Sequence, residues 1–409
     1  MALESEVQPI LSWLQNQQPA MESKLVTWAA INSGTHNLNG LSQIIEVVLE
    51  ELAEICEEVH TQNVSPRTMV DAHGDLQEQL LAPGLIGICR ATSPHQAILA
   101  IHLDTVYPAD SFFQRVTVEA DQIHGPGVAD AKGGVIVLLT ALRAFERYVA
   151  TSGNNHLGWR VVLNCDEEIG SPGSAELFRQ YAVGADFGLL FEPSLPNGHL
   201  VGVRKGSGNF EIVVRGQSAH AGREFSKGRN AIIAAARLAQ TLHDLNGHWP
   251  ETTINVAKID GGGPSNVVPD TAVVRFNIRY PTVEVERQFA EELDRLIRSP
   301  DEGITLALHG GFFAPPKPMT TEQEEFLRTV QACGKTLGLN LAWESTGGVC
   351  DGNRLAALGV PNVDTMGVRG GNIHSPQEYM LRDSLVERSQ LTFLTLVTMA
   401  ERFRQADLQ

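Results

Sequence analysis

The chain has 409 residues, 43% of them hydrophobic and 19% charged, an ordinary globular composition long enough for roughly two to three domains. Its formal net charge of -17 argues against nucleic acid or an anionic membrane as a partner, because both require a basic surface. No apolar run reaches the roughly eighteen residues of a membrane span, the opening Met1-Ala-Leu-Glu-Ser-Glu6 lacks a secretory pattern, and five scattered cysteines suit reduced thiols, so a cytoplasmic protein is expected. Helical patterning runs over Glu4 to Gln15 and Leu41 to Glu54, followed by strands near Gly84 to Cys89 and Ala97 to Leu103. A helix from about Lys132 to Tyr148 precedes strands at Arg160 to Cys165 and Phe187 to Phe191. Short apolar runs between helices predict an α/β fold with a largely parallel sheet flanked by helices, and such sheets bind ligands beyond the carboxyl ends of their strands.

From about Arg204 the texture changes. A strand (Phe210 to Arg215), a helix (Asn230 to Leu245), two strands (Thr252 to Ile259, Thr271 to Tyr280), a helix (Val283 to Ile297) and a strand (Ile304 to His309) follow one another. That β-α-β-β-α-β order predicts a ferredoxin-like α+β insertion. Ala314-Pro-Pro-Lys-Pro318 reads as a linker back to the first unit, which continues with a helix (Thr321 to Leu337), a loop (Ser345 to Asn353), a strand near Asn362 to Met366 and a closing helix. The expected division is 1–203 and 315–409 for the main unit and 204–314 for the insertion.

The chemistry concentrates at the ends of the strands. Ala97-Ile-Leu-Ala-Ile-His-Leu-Asp104 is a buried-strand pattern ending in an imidazole and a carboxylate, His102 and Asp104, which point to one face of an extended chain. Asp130 sits in a glycine-rich loop ahead of a helix, Asp166-Glu-Glu168 ends the next strand, Glu192 ends the one after, and His374 lies in the loop Gly371-Asn-Ile-His-Ser-Pro376. Each has an ordinary structural reading when taken singly: a hydrogen-bonded pair, an acidic helix start, a solvated acid cluster, a strand-end acid, a loop histidine. Together they meet at one sheet edge, where unpaired acids repel unless cations hold them. Two histidines and three carboxylates make a mixed nitrogen and oxygen donor set suited to zinc, with cobalt or manganese conceivable. If one carboxylate bridges, five ligands serve two metals about 3.5 to 4 Å apart, and one glutamate remains free for proton work.

The order and spelling of these motifs resemble the dinuclear zinc metallopeptidase family of glutamate carboxypeptidase, aminoacylase, acetylornithine deacetylase and succinyl-diaminopimelate desuccinylase, over nearly the whole chain. The resemblance implies that Asp130 bridges two zinc ions, that His102 and Glu192 complete one site, and that Glu168 and His374 complete the other. It makes Glu167 the general base that takes a proton from the bridging water and hands it to the leaving amine, and Asp104 the residue that orients His102. It also implies a cis peptide between Asp130 and Ala131.

The insertion carries a second set, Ser218-Ala-His-Ala-Gly222, Pro264-Ser-Asn-Val-Val-Pro269 and Asn277-Ile-Arg-Tyr280. By the same resemblance the insertion is a lid and dimerisation domain. The resemblance also implies that His220 polarises the scissile carbonyl, often in a partner subunit's site, and that Asn266 and Arg279 grip a substrate carboxylate. Arg369, in Gly367-Val-Arg-Gly-Gly371, is a further candidate for an acidic substrate group or else a structural salt bridge. An exposed edge strand in the lid makes a homodimer the expected assembly. The set as a whole looks nearest to a glutamate-carboxypeptidase-like hydrolase acting on a peptide or N-acyl amino acid with a free carboxylate. An acetylornithine-type deacetylase or aminoacylase is the neighbouring alternative, and a catalytically silent metal-binding scaffold the alternative of another class.

Overall fold

The computed structural model describes residues 2–408, and its centre is a six-stranded sheet. The strands lie in the order Glu58–Gln62, Gly84–Cys89, Leu157–Asn164, His95–His102, Phe187–Leu190 and Asn362–Val363. The last four run parallel to one another, and Gly84–Cys89 is antiparallel to both of its neighbours at one edge. Alternation along His95–His102 explains why it is buried on both sides. Ala97, Leu99 and Ile101 join the large core beneath the helices Lys132–Ser152 and Ser384–Asp407, while Ile98 and Ala100 face the smaller core under Ala175–Tyr181 and Gly352–Ala357.

The helix Lys132–Ser152 closes on Gly153 in the left-handed region, a common helix stop. At its start, a Cβ on Gly134 would lie 2.1 Å from the Phe191 carbonyl oxygen. Glycine there lets the loop bearing Asp130 press against the strand end that bears Glu192, so a packing requirement brings two acids together. The peptide between Asp130 and Ala131 is cis, as expected.

The second hydrophobic core belongs to the segment after Arg204. Four antiparallel strands lie in the order Thr253–Gly261, Thr271–Tyr280, Gly206–Arg215 and Thr305–Ala314, the arrangement of a ferredoxin-like sandwich. Phe210, Ile212, Val214, Phe276 and Ile278 pack against Ala235, Leu242, Phe289 and Leu293 of the helices Ala231–Asp244 and Val283–Arg298. Asn230 and Thr282 cap those helices, accepting from the N–H groups of Ile233 and Val285. The two chain crossings run side by side, because Arg204 and Lys317 exchange main-chain hydrogen bonds of 3.1 and 3.0 Å.

The helix Gln18–Ala29 and the hairpin Arg67–Val70 with Leu76–Gln79 lie outside the predicted elements. The hairpin is largely polar and half exposed, so its sequence lacks the apolar alternation that marks a half-buried strand. It has a structural anchor nonetheless. Val70 packs on Val213 and Val273, on the face of the four-stranded sheet away from its helices. The Val70 N–H donates to Glu211, and the Arg275 guanidinium donates to the Val70 and Asp71 carbonyls. No helix among the described residues is long and apolar enough to cross a membrane.

Candidate metal centre and active site

His102 ends its strand almost wholly buried, with Nε2 3.0 Å from Asp130 Oδ1 and 3.7 Å from Glu192 Oε2. On the other side of the same carboxylate, His374 Nε2 lies 3.1 Å from Asp130 Oδ2 and 3.2 Å from Glu168 Oε2. Two groups of donor atoms, His102 with Asp130 and Glu192, and Asp130 with Glu168 and His374, each lie within 4.8 Å of one another and share Asp130. The loop delivers His374 with a φ of 62°, a left-handed backbone that turns the imidazole towards Asp130. All five residues predicted as ligands therefore converge.

The electrostatics of the cluster follow from its crowding. Burial and the charge of Asp130 push the Glu168 carboxyl up to about 7. Burial and the neighbouring Glu192 charge raise Glu167 well above the usual carboxylate range. For Asp130 burial acts in the same direction but is outweighed by His102 and His374, which hold its carboxyl below the ordinary value. Asp130 and Glu168 in turn push His374 up to about 10. Glu168 Oε1 is buried without a hydrogen-bond partner. Hard oxygen donors with imidazole nitrogen, mutually repelling and one of them orphaned, fit a pair of divalent cations.

Asp104 does more than its predicted task and does it differently. His102 Nδ1 lies 2.9 Å from the Asp104 main-chain carbonyl and 3.4 Å from its carboxylate, so the carbonyl is the closer acceptor. Donation to a carbonyl puts a proton on Nδ1, so Nε2, which faces Asp130 and Glu192, is the nitrogen available to a metal. The carboxylate is turned instead to the N–H groups of Glu167 and Glu168, each at 3.2 Å, and to the Thr35 hydroxyl at 2.8 Å. Glu378 holds the facing loop in a comparable way, accepting from the N–H groups of Gly127, Ala129 and Asp130 and from the Tyr107 hydroxyl. Nothing in the local sequence singled out Glu378. The one available signal was an acid four residues beyond His374.

Glu167, Glu168 and His374 line a cavity of about 270 Å³ that reaches the underside of the four-stranded sheet, where Arg279 enters it. Arg279 Nε donates to Asn277 at 3.2 Å, while its Nη1 is buried with no partner. Burial lowers its pKa, an effect partly offset by the charge of Glu167. His220 and Asn266 lie elsewhere, on adjoining exposed turns joined by the Ala221 N–H to the Asn266 carbonyl, and neither lines this cavity. Arg369 turns away to Asp383 at 2.7 Å and Glu387 at 3.2 Å, because the closing helix offers it carboxylates; of its two readings, the salt bridge is the one present.

A mixed α/β sheet carrying two ligand groups around one shared carboxylate is the framework of a metal-dependent hydrolase of amide bonds. The model for peptidase family M20/M25/M40 matches residues 98–397, and the chain belongs to that family. It is 26% identical over 381 residues to carboxypeptidase G2 of Pseudomonas sp. (strain RS-16), covering 91% of this chain and 87% of that protein. It is 28% identical over 283 residues to succinyl-diaminopimelate desuccinylase of Pseudoalteromonas translucida, covering 66% of this chain and 73% of the relative. Among solved structures, a tripeptidase from Staphylococcus aureus shares the fold with a TM-score of 0.70 at 23% identity, covering 94% of this chain and 99% of its own.

Proposed function

We propose that this chain is a dinuclear zinc hydrolase that cleaves the amide bond of a peptide or N-acyl amino acid bearing a free carboxylate, in the manner of a glutamate carboxypeptidase. The observation that carries the reading is Arg279 Nη1, buried and unpaired in the same cavity as Glu167. A desolvated guanidinium without an acid is a receptor for a planar carboxylate, and here it stands beside the acid suited to proton transfer.

His102, Asp130 and Glu192 would hold one zinc, and Asp130, Glu168 and His374 the other. When bound, the pair polarises the scissile carbonyl and makes a water molecule acidic enough to attack at neutral pH. Arg279 fixes the substrate by its carboxylate. Glu167 takes the proton of the attacking water and delivers it to the departing nitrogen. Asp104 holds the main chain of Glu167 and Glu168 so that the base and a ligand keep their spacing. The exposed turns of His220 and Asn266 serve a partner's cavity in a homodimer, formed along the outer strand Thr253–Gly261, near which Ile233 and Ile259 stand 49% and 44% exposed. All five cysteines are free, in keeping with a cytoplasmic enzyme.

The desuccinylase relatives favour a deacylase as the second reading. The decisive experiment is a panel of N-acyl amino acids, with the acyl and amino halves varied separately and zinc or cobalt supplied. Zinc-dependent release of an α-amino acid bearing a free carboxylate is expected, and amide substrates lacking that carboxylate should fail. Glu167→Gln should keep both metals and lose roughly 10²–10⁴-fold in kcat. Turnover by that variant at the wild-type rate would refute the assignment.

A further inference from the structure

The cavity that holds Arg279 has a second cationic wall. Arg67, at the start of the hairpin Arg67–Val70, lines the same cavity as Glu167 and Arg279. The residue is half-buried, and no ion pair or side-chain hydrogen bond engages it among the described residues. The third arginine of that wall is committed, since Arg354 donates to Asp351 and to the Gly170 carbonyl. Two guanidinium groups thus remain for whatever enters.

Their spacing is built into the strand geometry. Arg275, Asn277 and Arg279 alternate with Phe276 and Ile278, so all three point away from the apolar core of their sheet. Arg275 pins Val70 and Asp71 through their carbonyls. From that anchor Arg279 stands four residues along one strand, about 13 Å, and Arg67 three residues along the other, about 10 Å. Both side chains end in the one cavity. The docked hairpin therefore holds Arg67 in a fixed relation to Arg279.

A substrate with one carboxylate in this cavity satisfies Arg279 and leaves Arg67 without an anion, whereas two carboxylates satisfy both. On the far side of Glu168 and Ile169 a separate cavity is lined by Gly34, Thr35, Thr105, Val106, Pro108 and Ala109 among others, with no lysine or arginine in its wall. That side, which also includes His36 and Asn37, offers an acyl group no lysine or arginine. We propose that Arg67 determines specificity by binding the second carboxylate of an acidic leaving amino acid, glutamate or aspartate, whose first carboxylate is held by Arg279. The inference rests on the amide-hydrolase reading above and narrows its substrate class.

The test uses the zinc-loaded protein and its Arg67→Met and Arg67→Lys variants. In calorimetric titration, L-glutamate should bind wild type at least tenfold more tightly than L-methionine, which has similar length and one carboxylate. Arg67→Met should lose at least tenfold for glutamate and stay within about twofold for methionine, with partial recovery in Arg67→Lys. The ratio of kcat/KM for N-acetylglutamate over N-acetylmethionine should fall in parallel. Equal losses for both ligands, or no loss, would overturn the role, as would a loss confined to N-succinyl-methionine, which would place Arg67 on the acyl side. Glutamate preference in binding without turnover of any N-acyl amino acid would leave this inference standing and refute the hydrolase reading. Turnover without a preference for the diacid would do the reverse.

Discussion

The strongest test of how the two chain crossings are held is Asp364→Asn. Asp364 is wholly buried and accepts from Arg204 Nε at 2.8 Å, Arg204 Nη2 at 2.9 Å and Lys317 Nζ at 2.8 Å. Arg204 and Lys317 sit on the two crossings, and their side chains are 8% and 0% exposed. Removing the carboxylate charge leaves two cations without a counter-charge in the interior, which costs about 3–5 kcal/mol against a total stability of roughly 5–15 kcal/mol. The assay is the urea midpoint of the metal-loaded protein, read by fluorescence and by activity. A companion variant, Arg204→Met with Lys317→Met and Asp364→Leu, replaces the cluster with apolar volume and should lose far less than the single change. The Asp364 carboxyl is held below the usual carboxylate range: burial opposes its charge, but Arg204 and Lys317 outweigh burial. A depressed folded-state value means that the stabilisation is fully present above the unfolded carboxylate value of about 3.9 and is lost as pH falls below it. The gap between wild type and Asp364→Asn should therefore narrow only below about pH 4. A loss under about 1 kcal/mol at pH 7, or a triple variant as damaged as the single one, would refute the reasoning.

Two further changes probe the site. Glu378→Gln keeps the volume but replaces an acceptor of three N–H groups and a hydroxyl, so the Asp130 loop should relax and metal affinity fall by roughly 10–100-fold in competition with a chelator. Unchanged affinity would show that the loop holds itself. Arg279→Lys should raise KM by about tenfold or more, because a point charge loses the bidentate fit, and an unaltered KM would remove Arg279 from carboxylate binding.

The candidate ligand set was legible in the sequence because His102, Glu168 and Glu192 stand at or just beyond the ends of apolar strands, with Asp130 and His374 in glycine-bearing loops. An apolar strand that stops at or just before His102, Glu168 or Glu192 delivers that residue to the sheet's carboxyl edge, where such residues can meet. The order of elements after Arg204 gave the sandwich for the same reason, since topology follows from alternation and period. What escaped depends on partners distant in sequence. Glu378 meets Asp130 across 248 positions, and Arg67 is held by a hairpin whose anchor lies 205 residues away. Arg369 illustrates the converse: its loop pointed to the site, but the closing helix offers Asp383 and Glu387 nearer at hand.

The same contrast defines what Asp104 does. Its position two residues after His102 suggested one bond, from imidazole to carboxylate. The main-chain carbonyl is the nearer acceptor for that imidazole, which frees the carboxylate to fix Glu167 and Glu168 through their backbones. A proposed metal ligand, His102, is thus tied to the Asp104 main-chain carbonyl, and a second proposed ligand, Glu168, and the acid assigned to proton transfer are tied to its buried carboxylate. Any displacement of Asp104 moves all three together, so variants there should alter metal binding and turnover in step, whereas Glu167 variants should separate them.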